Sequence, residues 1–199
     1  MKSNLYLHSY LQKKYNDLLK VSDLKNNIED VIAYGKENEI HNTIKSLKDD
    51  KLVQSLMSIC CIDYPQQNKR FDLTYNFLDI TNNTRLILKF QLEEDHIAQS
   101  ITDIFPNAQW YEREIWDLFG VVFSGNNDMR RILTDYGFVG HPMRKDFPLT
   151  GYIEMHYNSS RGAVVYNNVN LQQDIRQFET SSQWNNNMLP GDEKATSNK

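Results

Sequence analysis

Apolar residues recur at every second position in two stretches of the chain. The alternating apolar positions are Phe71, Leu73, Tyr75 and Phe77 in the first stretch and Leu86, Leu88, Phe90 and Leu92 in the second. A period of two places every second side chain on the same face of a β-strand. Asn82 and Asn83 lie between the two stretches, where a turn would be needed. The pattern therefore predicts an antiparallel β-hairpin with one buried face.

Other periodicities predict helices around this hairpin. Apolar residues recur at helical spacing over residues 5–20, 40–48 and 94–105, and over a fourth helix that Asn107 caps and Gly120 ends. The expected inner face of the fourth helix carries Tyr111, Ile115, Leu118 and Phe119. Residues 28–34 and 55–64 predict strands, and the second is expected to be central because its apolar residues lie on both faces.

Helices and strands interleave without a regular βαβ repeat, which predicts an α+β fold. We expect a mixed or antiparallel sheet covered by amphipathic helices, followed by a long irregular C-terminal arm with short strands. The expected domains are a globular part over residues 1–123, an extended partner-binding arm over 124–188 and a disordered tail over 189–199. Within the arm, residues 152–157 and 163–166 predict two short strands.

Composition excludes several classes of protein. The 199 residues include 22 Lys and Arg and 26 Asp and Glu, so the formal net charge is −4, which argues against binding that depends on neutralising phosphates. Apolar runs end well before the roughly 20 residues of a membrane-spanning helix. Cys60 and Cys61 are adjacent in an expected strand and point to opposite faces, so they build neither a disulfide framework nor a metal cluster. We expect a reducing compartment.

Two groups of charged residues suggest chemistry. Glu112 and Glu114, near Asp117, could serve as acid and base in a free-standing enzyme, although acids near a helix start also complement the helix dipole. A second group, interleaved with aromatic residues, resembles an RNA-binding surface: Arg130, Arg131, Arg144 and Lys145. Three acids between residues 126 and 146 nearly balance these four cations, which favours internal salt bridges.

Residues 124–147 show no sustained period, and long irregular stretches in compact domains are usually functional. The five histidines lack the spacing of a zinc site, and no phosphate-binding glycine motif is present. A charged, aromatic, irregular stretch without a nucleophile or cofactor motif is best explained as a surface that is ordered against a partner. Its charges would then pair across that contact.

Three stretches carry a specific resemblance: Glu112–Gly120 (EREIWDLFG), Arg130–Phe138 (RRILTDYGF) and His141–Tyr152 (HPMRKDFPLTGY). Over about residues 107–157 the chain resembles the 30 kDa subunit of respiratory complex I, the C subunit of the bacterial enzyme. The order of elements before this stretch, and residues 172–184 after it, are similar more loosely. Asn126, Asn127, Asn167 and Gln183 depart from the family pattern and bring local contacts into question.

The resemblance implies a core subunit of the peripheral arm of a proton-pumping NADH:ubiquinone oxidoreductase, non-catalytic by itself. It implies that this chain binds no cofactor, while the assembled complex uses FMN, iron–sulfur clusters, NADH and ubiquinone. The expected partners are the hydrogenase-like subunit of the quinone pocket and its iron–sulfur neighbour, without nucleic acid or a membrane span. The expected location is the matrix side of the mitochondrial inner membrane, with an organelle-encoded gene, or alternatively the bacterial cytoplasmic membrane.

The residues expected in the family motif and at the partner interface are Glu112, Arg113, Glu114, Asp117, Arg130, Arg131, Asp135, Tyr136, His141, Arg144, Lys145, Asp146, Phe147 and Tyr152. Desolvated charge pairs at such a contact are costly to break. Replacing Arg130, Arg144 or Asp146 by alanine is therefore expected to damage assembly more than the folding of the chain itself.

Overall fold

A computed structural model describes residues 2–22 and 30–171. The expected tail over 189–199, the loosely similar residues 172–184 and the start of the strand predicted from residue 28 lie outside this part. In chain order the elements are α1 (Lys2–Lys14), β1 (Leu19–Val21), β2 (Asp30–Gly35), a 3-10 turn (Glu37–Glu39), α2 (Ile40–Asp49), β3 (Ser55–Asp63), β4 (Phe71–Asp79), β5 (Thr84–Leu92), β6 (Ala98–Gln99), α3 (Ala108–Phe119), β7 (Phe123–Ser124), β8 (Ile153–Asn158) and β9 (Ala163–Asn168).

The predicted hairpin is the centre of the fold. Strands β4 and β5 pair antiparallel from Phe71 opposite Leu92 to Asp79 opposite Thr84. They lie inside a five-stranded sheet of order β1-β2-β5-β4-β3, in which β2 runs parallel to β5 and the other pairs are antiparallel. The predicted α+β class with a mixed sheet is confirmed.

The alternating residues of the hairpin build the core. All eight apolar positions of the two stretches are buried, and they belong to one continuous cluster with side chains from α1, α2 and α3. On the opposite face of β5, Arg85 and Gln91 remain exposed. One face of the sheet therefore carries the helices, which is the usual arrangement for a sheet with antiparallel strands.

The prediction of a helix over residues 94–105 is wrong. The structure has turns and the short strand β6 there, and β6 pairs in parallel with β7 through Ala98 opposite Phe123. Ile97 is exposed whereas Ile101 and Ile104 are buried. Backbone pairing with residues more than twenty positions away therefore replaces local helical hydrogen bonds, and no helical periodicity could reveal such a partner.

The strand predicted at residues 55–64 is present as β3, but it is the last strand of the sheet instead of a central one. Helix α3 covers the start of this edge. The Asn107 amide donates to the Leu56 carbonyl at 2.9 Å, and the Tyr111 hydroxyl donates to the Met57 carbonyl at 2.8 Å. Asn107 thus binds the sheet edge and makes no side-chain cap on α3. Covering an edge in this way blocks pairing with other chains.

Other predicted boundaries differ locally. The first helix ends at Lys14, and strand β1 follows where its last turn was expected. In α3, Ile115 and Phe119 are buried, whereas Tyr111 and Leu118 are only partly buried. Gly120 ends α3 in the left-handed conformation at φ 82°, as expected for a C-terminal glycine.

The chain divides into two units, Met1–Gly151 and Tyr152–Lys199, and the second is described over residues 152–171. The first unit contains the sheet, its helices and residues 124–151, which we call the irregular segment because they lack regular structure beyond the last residue of β7. In the second unit, β8 and β9 pair antiparallel across the turn at residues 159–162. The division predicted at residues 123 and 124 remains a prediction. In the described ranges, no helix has the length and apolar character needed to span a bilayer.

Tyr75 provides a test of the core. Its hydroxyl is buried and, among the described residues, finds no hydrogen-bond partner, while its ring contacts Phe90 edge-on with centroids 5.6 Å apart. Because an unsatisfied buried hydroxyl costs free energy, we expect Tyr75→Phe to raise the free energy of unfolding by about 1 kcal/mol. Urea denaturation of the purified chain measures this change. Tyr75→Leu, which loses the ring contact, should lower stability, and a comparable loss in Tyr75→Phe would contradict the assignment.

Candidate functional site

The buried carboxylate of Asp117 holds one end of the irregular segment. Its Oδ2 accepts hydrogen bonds from three consecutive backbone amides, those of Ile132 at 3.0 Å, Leu133 at 2.8 Å and Thr134 at 2.9 Å. Its Oδ1 accepts from the Arg131 guanidinium at 2.8 Å and from the Thr134 hydroxyl. One side chain of α3 thus fixes the backbone of three residues that have no regular structure.

These contacts also set the charge state of Asp117. Burial alone would raise the pKa of Asp117, but hydrogen bonds from the Thr134 hydroxyl and amide, from Arg131 and from Leu133 lower it well below the usual range of an aspartate. The carboxylate is therefore ionised and accepts every donor that faces it.

Two arginines bind backbone carbonyls of the segment. Arg113, which is buried on α3, donates to the carbonyls of Arg130 at 2.9 Å and Arg131 at 3.2 Å. Arg131 donates in turn to the Gly140 carbonyl at 3.1 Å, and its guanidinium lies 5.4 Å from the centre of the Trp116 ring. Both cations bind this chain's own backbone, so their planar forks fix the course of the segment.

The middle of the irregular segment contacts the C-terminus of α3. His141 Nδ1 lies 3.0 Å from the Asp117 carbonyl, and Arg144 donates to the Phe119 carbonyl at 2.6 Å. These cationic and ring groups bind carbonyls that the helix end leaves without internal partners. A Cβ on Gly120 would lie 2.6 Å from the His141 ring, so this approach needs glycine for space as well as for its positive φ.

A second charged group binds the segment to the sheet. Arg70 donates to both oxygens of the buried Asp63 at 2.7 and 3.0 Å, to Glu94 at 3.0 Å and to Asp146 at 3.0 Å. Arg144 shares Glu94 at 2.9 Å. Burial alone would raise the pKa of Asp63, but the Arg70 guanidinium holds it below the usual range.

Glu112 is a buried carboxylate with neutral hydrogen-bond donors. Its Oε1 accepts from the Ile101 amide at 2.9 Å, and its Oε2 accepts from the Ser100 hydroxyl at 2.8 Å and the Asn126 amide at 2.9 Å. Burial raises the pKa of Glu112 above its usual value despite these bonds. Glu112 connects α3 to the turn after β6 and to the first residues of the segment.

Several apolar side chains of the segment point outward. While its backbone is held against α3, five large apolar residues are more than half exposed: Leu133, Tyr136, Val139, Met143 and Leu149. A contiguous chain segment that uses its polar groups inward and exposes its apolar ones is typical of a protein-binding surface. We call these five residues the segment surface.

The structure brings six of the fourteen predicted site residues together around α3: Glu112, Arg113, Asp117, Arg131, His141 and Arg144. Asp146 binds Arg70 at the sheet instead. Arg130 pairs with Asp128 and is largely exposed. Lys145 and Tyr136 have exposed side chains, while the Asp135 carboxylate accepts from the Tyr136 amide. Phe147 packs on Phe138, Glu114 is partly buried, and Tyr152 lies in the second unit.

Charges that were expected to pair across a partner contact pair within the chain instead: Arg130 with Asp128, Arg144 with Glu94 and Asp146 with Arg70. Arg70, Asp63 and Glu94 were missed by the sequence analysis. Lys145 donates its amide to Asp63 across 82 positions, and Arg70 reaches Asp146 across 76. No local pattern marks such pairs; only the near-balance of charges in the segment indicated internal salt bridges.

Within residues 2–22 and 30–171, neither alternative chemistry finds a site. Glu112 is wholly buried beneath Ser100 and Asn126, so it is closed to a substrate and does not form an acid–base pair with Glu114. Arg131 and Arg144, proposed for RNA, bind this chain's own acids and carbonyls. Across the described residues, no group of three His, Cys, Asp or Glu could hold a metal ion.

In this α+β domain, polar groups hold an irregular segment in place while several apolar side chains of the segment stay exposed. These features are typical of a subunit of a larger assembly. A family model described as the 30 kDa subunit of respiratory-chain NADH dehydrogenase matches residues 33–153. The chain belongs to this family, and the expected resemblance is confirmed.

Relatives that are named as the C subunit of NADH-quinone oxidoreductase support the assignment. The protein of Novosphingobium aromaticivorans is 51% identical over 160 residues, which is 79% of this chain and 52% of that protein. The chain thus spans about half the length of this relative. The protein of Mesorhizobium japonicum is 46% identical, covering 84% of this chain and 88% of its own. The protein of Brucella ovis is 42% identical over 96% of both chains.

Two solved structures share the fold. A chain of the membrane-bound sulfane sulfur reductase, an archaeal respiratory membrane complex, superposes with a TM-score of 0.63 at 23% identity and covers 75% of this chain and 87% of its own. A trypsin-resistant fragment of Nqo5 superposes with a TM-score of 0.54 at 23% identity, covering 61% and 98%. At this identity the likeness concerns the fold alone.

Asp117→Asn tests the attachment of the segment. The amide keeps one acceptor but loses the charge opposite Arg131 and places an N–H group among donors, so we expect a loss of about 3 kcal/mol. Because folding lowers the pKa of Asp117, its contribution is present above about pH 4 and is lost as pH falls toward the folded-state value. Urea denaturation between pH 3 and 7 measures both effects. Glu114→Gln removes the same charge from α3 as a control, and an equal loss there would contradict the prediction.

Glu112→Gln tests the opposite pH dependence. Folding raises the pKa of Glu112, so the ionised side chain weakens the fold as pH rises above about 4.3, the unfolded value. We expect the stability of Glu112→Gln relative to the natural chain to increase between pH 4 and 7. Denaturant midpoints at several pH values measure the difference, and a difference that stays constant with pH would refute this role.

Proposed function

We propose that the chain is a peripheral-arm subunit of a proton-pumping NADH:quinone oxidoreductase, complex I, and that it acts by binding other subunits. Family membership supports the complex, because the related proteins are named as its C subunit. The observation that carries the binding role is the segment surface, whose side chains are exposed while Asp117, Arg113 and Arg131 hold the backbone of the irregular segment at residues 130–134 and 140.

A braced segment suits binding between proteins. Ordering a loop on association costs free energy, and a segment that is already fixed avoids most of this cost. Tyrosine and large aliphatic side chains contribute most when they enter pockets on the partner away from water. Tyr136 is 98% exposed and Leu149 is 93% exposed, so most of their area is available for burial.

The finer assignments rest on the family. We propose that the segment surface contacts the hydrogenase-like subunit of the quinone pocket and its iron–sulfur neighbour. FMN, iron–sulfur clusters and the quinone would then be bound by other subunits, in agreement with the adjacent Cys60 and Cys61, of which only Cys60 is exposed. This chain would support electron transfer by holding those subunits in place.

The proposed location is the energy-conserving membrane that carries the complex. The relatives named above come from bacteria, which supports the bacterial cytoplasmic membrane. They give no support to the mitochondrial inner membrane that the sequence analysis expected. The chain would reach the membrane through its partners.

Charge substitutions in the segment surface test the binding role. In cells whose only copy of the gene carries Leu133→Asp or Val139→Asp, we expect about tenfold less assembled complex, because the carboxylate cannot be buried at an apolar contact. Native gels with an NADH-dehydrogenase stain and mass spectrometry of the tagged chain measure assembly. Denaturation of the purified variants should show unchanged stability, since both positions are exposed.

Ile80→Asp is the matched control, because Ile80 is equally exposed but lies at the β4–β5 turn. It should assemble normally. If both segment variants assembled like the natural chain, the segment surface would not be a contact. If the tagged natural chain did not purify with FMN and iron–sulfur subunits, the proposed function itself would fail.

A further inference from the structure

Hairpin β8–β9 has one apolar and one polar face. Its register places Met155 opposite Tyr166 and Tyr157 opposite Val164, so these four side chains share a face with Ile153 and, opposite Ile153 at its end, Asn168. The other face carries Glu154, His156, Asn158, Ala163, Val165 and Asn167. The family model ends at residue 153, so its match does not extend over this hairpin.

The side chains of the apolar face are largely accessible to solvent. Ile153, Met155, Tyr157, Val164 and Tyr166 are each more than half exposed. A two-stranded hairpin whose apolar side chains stay largely accessible to solvent is at best marginally stable in water, and packing against its apolar face supplies the missing burial. The pattern therefore indicates that another surface covers this face.

Charge decides between a lipid and a protein surface. Residues 152–171 contain only one acid, Glu154, and one Lys or Arg, Arg161, so the formal charge is zero. Membrane-surface elements usually add a cluster of Lys and Arg that attracts anionic headgroups, which this hairpin lacks. An uncharged, tyrosine-containing face suits an apolar protein surface with polar groups at its rim.

Size decides against a second copy. Five half-exposed side chains of this kind offer about 500 Å². Two hairpins facing each other would bury about 1,000 Å² in total, less than the roughly 1,200 Å² of a small stable interface. The face is large enough to contribute to a bigger interface and too small to form one alone.

We propose that the apolar face of β8–β9 binds an apolar, uncharged surface of another subunit of the same respiratory complex, with the polar face turned away. This inference rests on the proposed function and adds a second contact, separate from the segment surface, with a defined orientation. The orientation can be tested because neighbouring residues of one strand, such as Met155 and His156, lie on opposite faces of the hairpin.

The test compares equal charges on the two faces of the hairpin in the full chain, expressed as the only copy. Met155→Lys and Val164→Lys place a cation on the apolar face, while His156→Lys and Asn167→Lys place it on the polar face. We expect the first pair to reduce the amount of this chain in the assembled complex about tenfold and the second pair to leave it unchanged. Met155→Leu, which keeps an apolar side chain, should also assemble normally.

Equal assembly of both pairs, with the natural chain present in the complex, would overturn the inference and leave the proposed function intact. An equal loss in both pairs, or a loss in Met155→Leu, would also overturn it, because the effect would then not follow the face. Flotation of the purified chain with vesicles of anionic and neutral lipids, weakened only by Met155→Lys, would overturn it by assigning the face to the membrane. A dimer of the purified chain that Met155→Lys dissociates would overturn it by assigning the face to a second copy.

Discussion

The hydrogen bonds of Asp117 determine the form of the irregular segment. A carboxylate buried on α3 needs several donors, and a segment without regular structure has backbone amides without partners in a helix or sheet. Three consecutive amides, the Thr134 hydroxyl and Arg131 meet both needs at one point. With that point fixed, Arg113 of α3 can bind the Arg130 carbonyl just before it, and Arg144 further along the segment can bind the Phe119 carbonyl at the end of α3. The segment is therefore ordered by the polar groups of a helix instead of by a core of its own.

This arrangement separates the two kinds of side chain in the segment. Arg131 and Arg144 are directed toward α3 and the sheet, whereas Leu133, Tyr136, Val139 and Leu149 are left outside. Had the cations been offered to a partner, binding would depend on ionic strength. With Arg131 and Arg144 used within the chain, shape and apolar area dominate the proposed contact, and these two arginines affect it by holding the backbone in place.

Local patterns were sufficient for some elements and not for others. The β4–β5 hairpin and α3 were predicted because periodicity, the turn at Asn82 and the glycine at position 120 lie within the elements themselves. The stretch 94–105 was mistaken for a helix because its real partner, residues 122–124, is distant in sequence. The edge position of β3 was missed for a similar reason: α3 covers it through Asn107 and Tyr111, some fifty positions further on.

The same limit applies to the site. The motif residues were identified by resemblance, but the groups that their charged side chains bind were not. Those partners, Arg70, Asp63 and Glu94, lie in strands or at strand ends far from the motif in sequence. Acids and bases nearly balance within the segment, which already favoured internal pairing over a phosphate-binding surface. Buried ionic groups that are fully hydrogen-bonded contribute little net stability compared with apolar packing, but they permit few alternative arrangements. The segment contains six glycine or proline residues between positions 125 and 151 and forms no regular secondary structure there. The buried ionic groups therefore do what a helix or sheet does elsewhere, because they hold the backbone in one conformation. The apolar side chains on that backbone then have one defined arrangement.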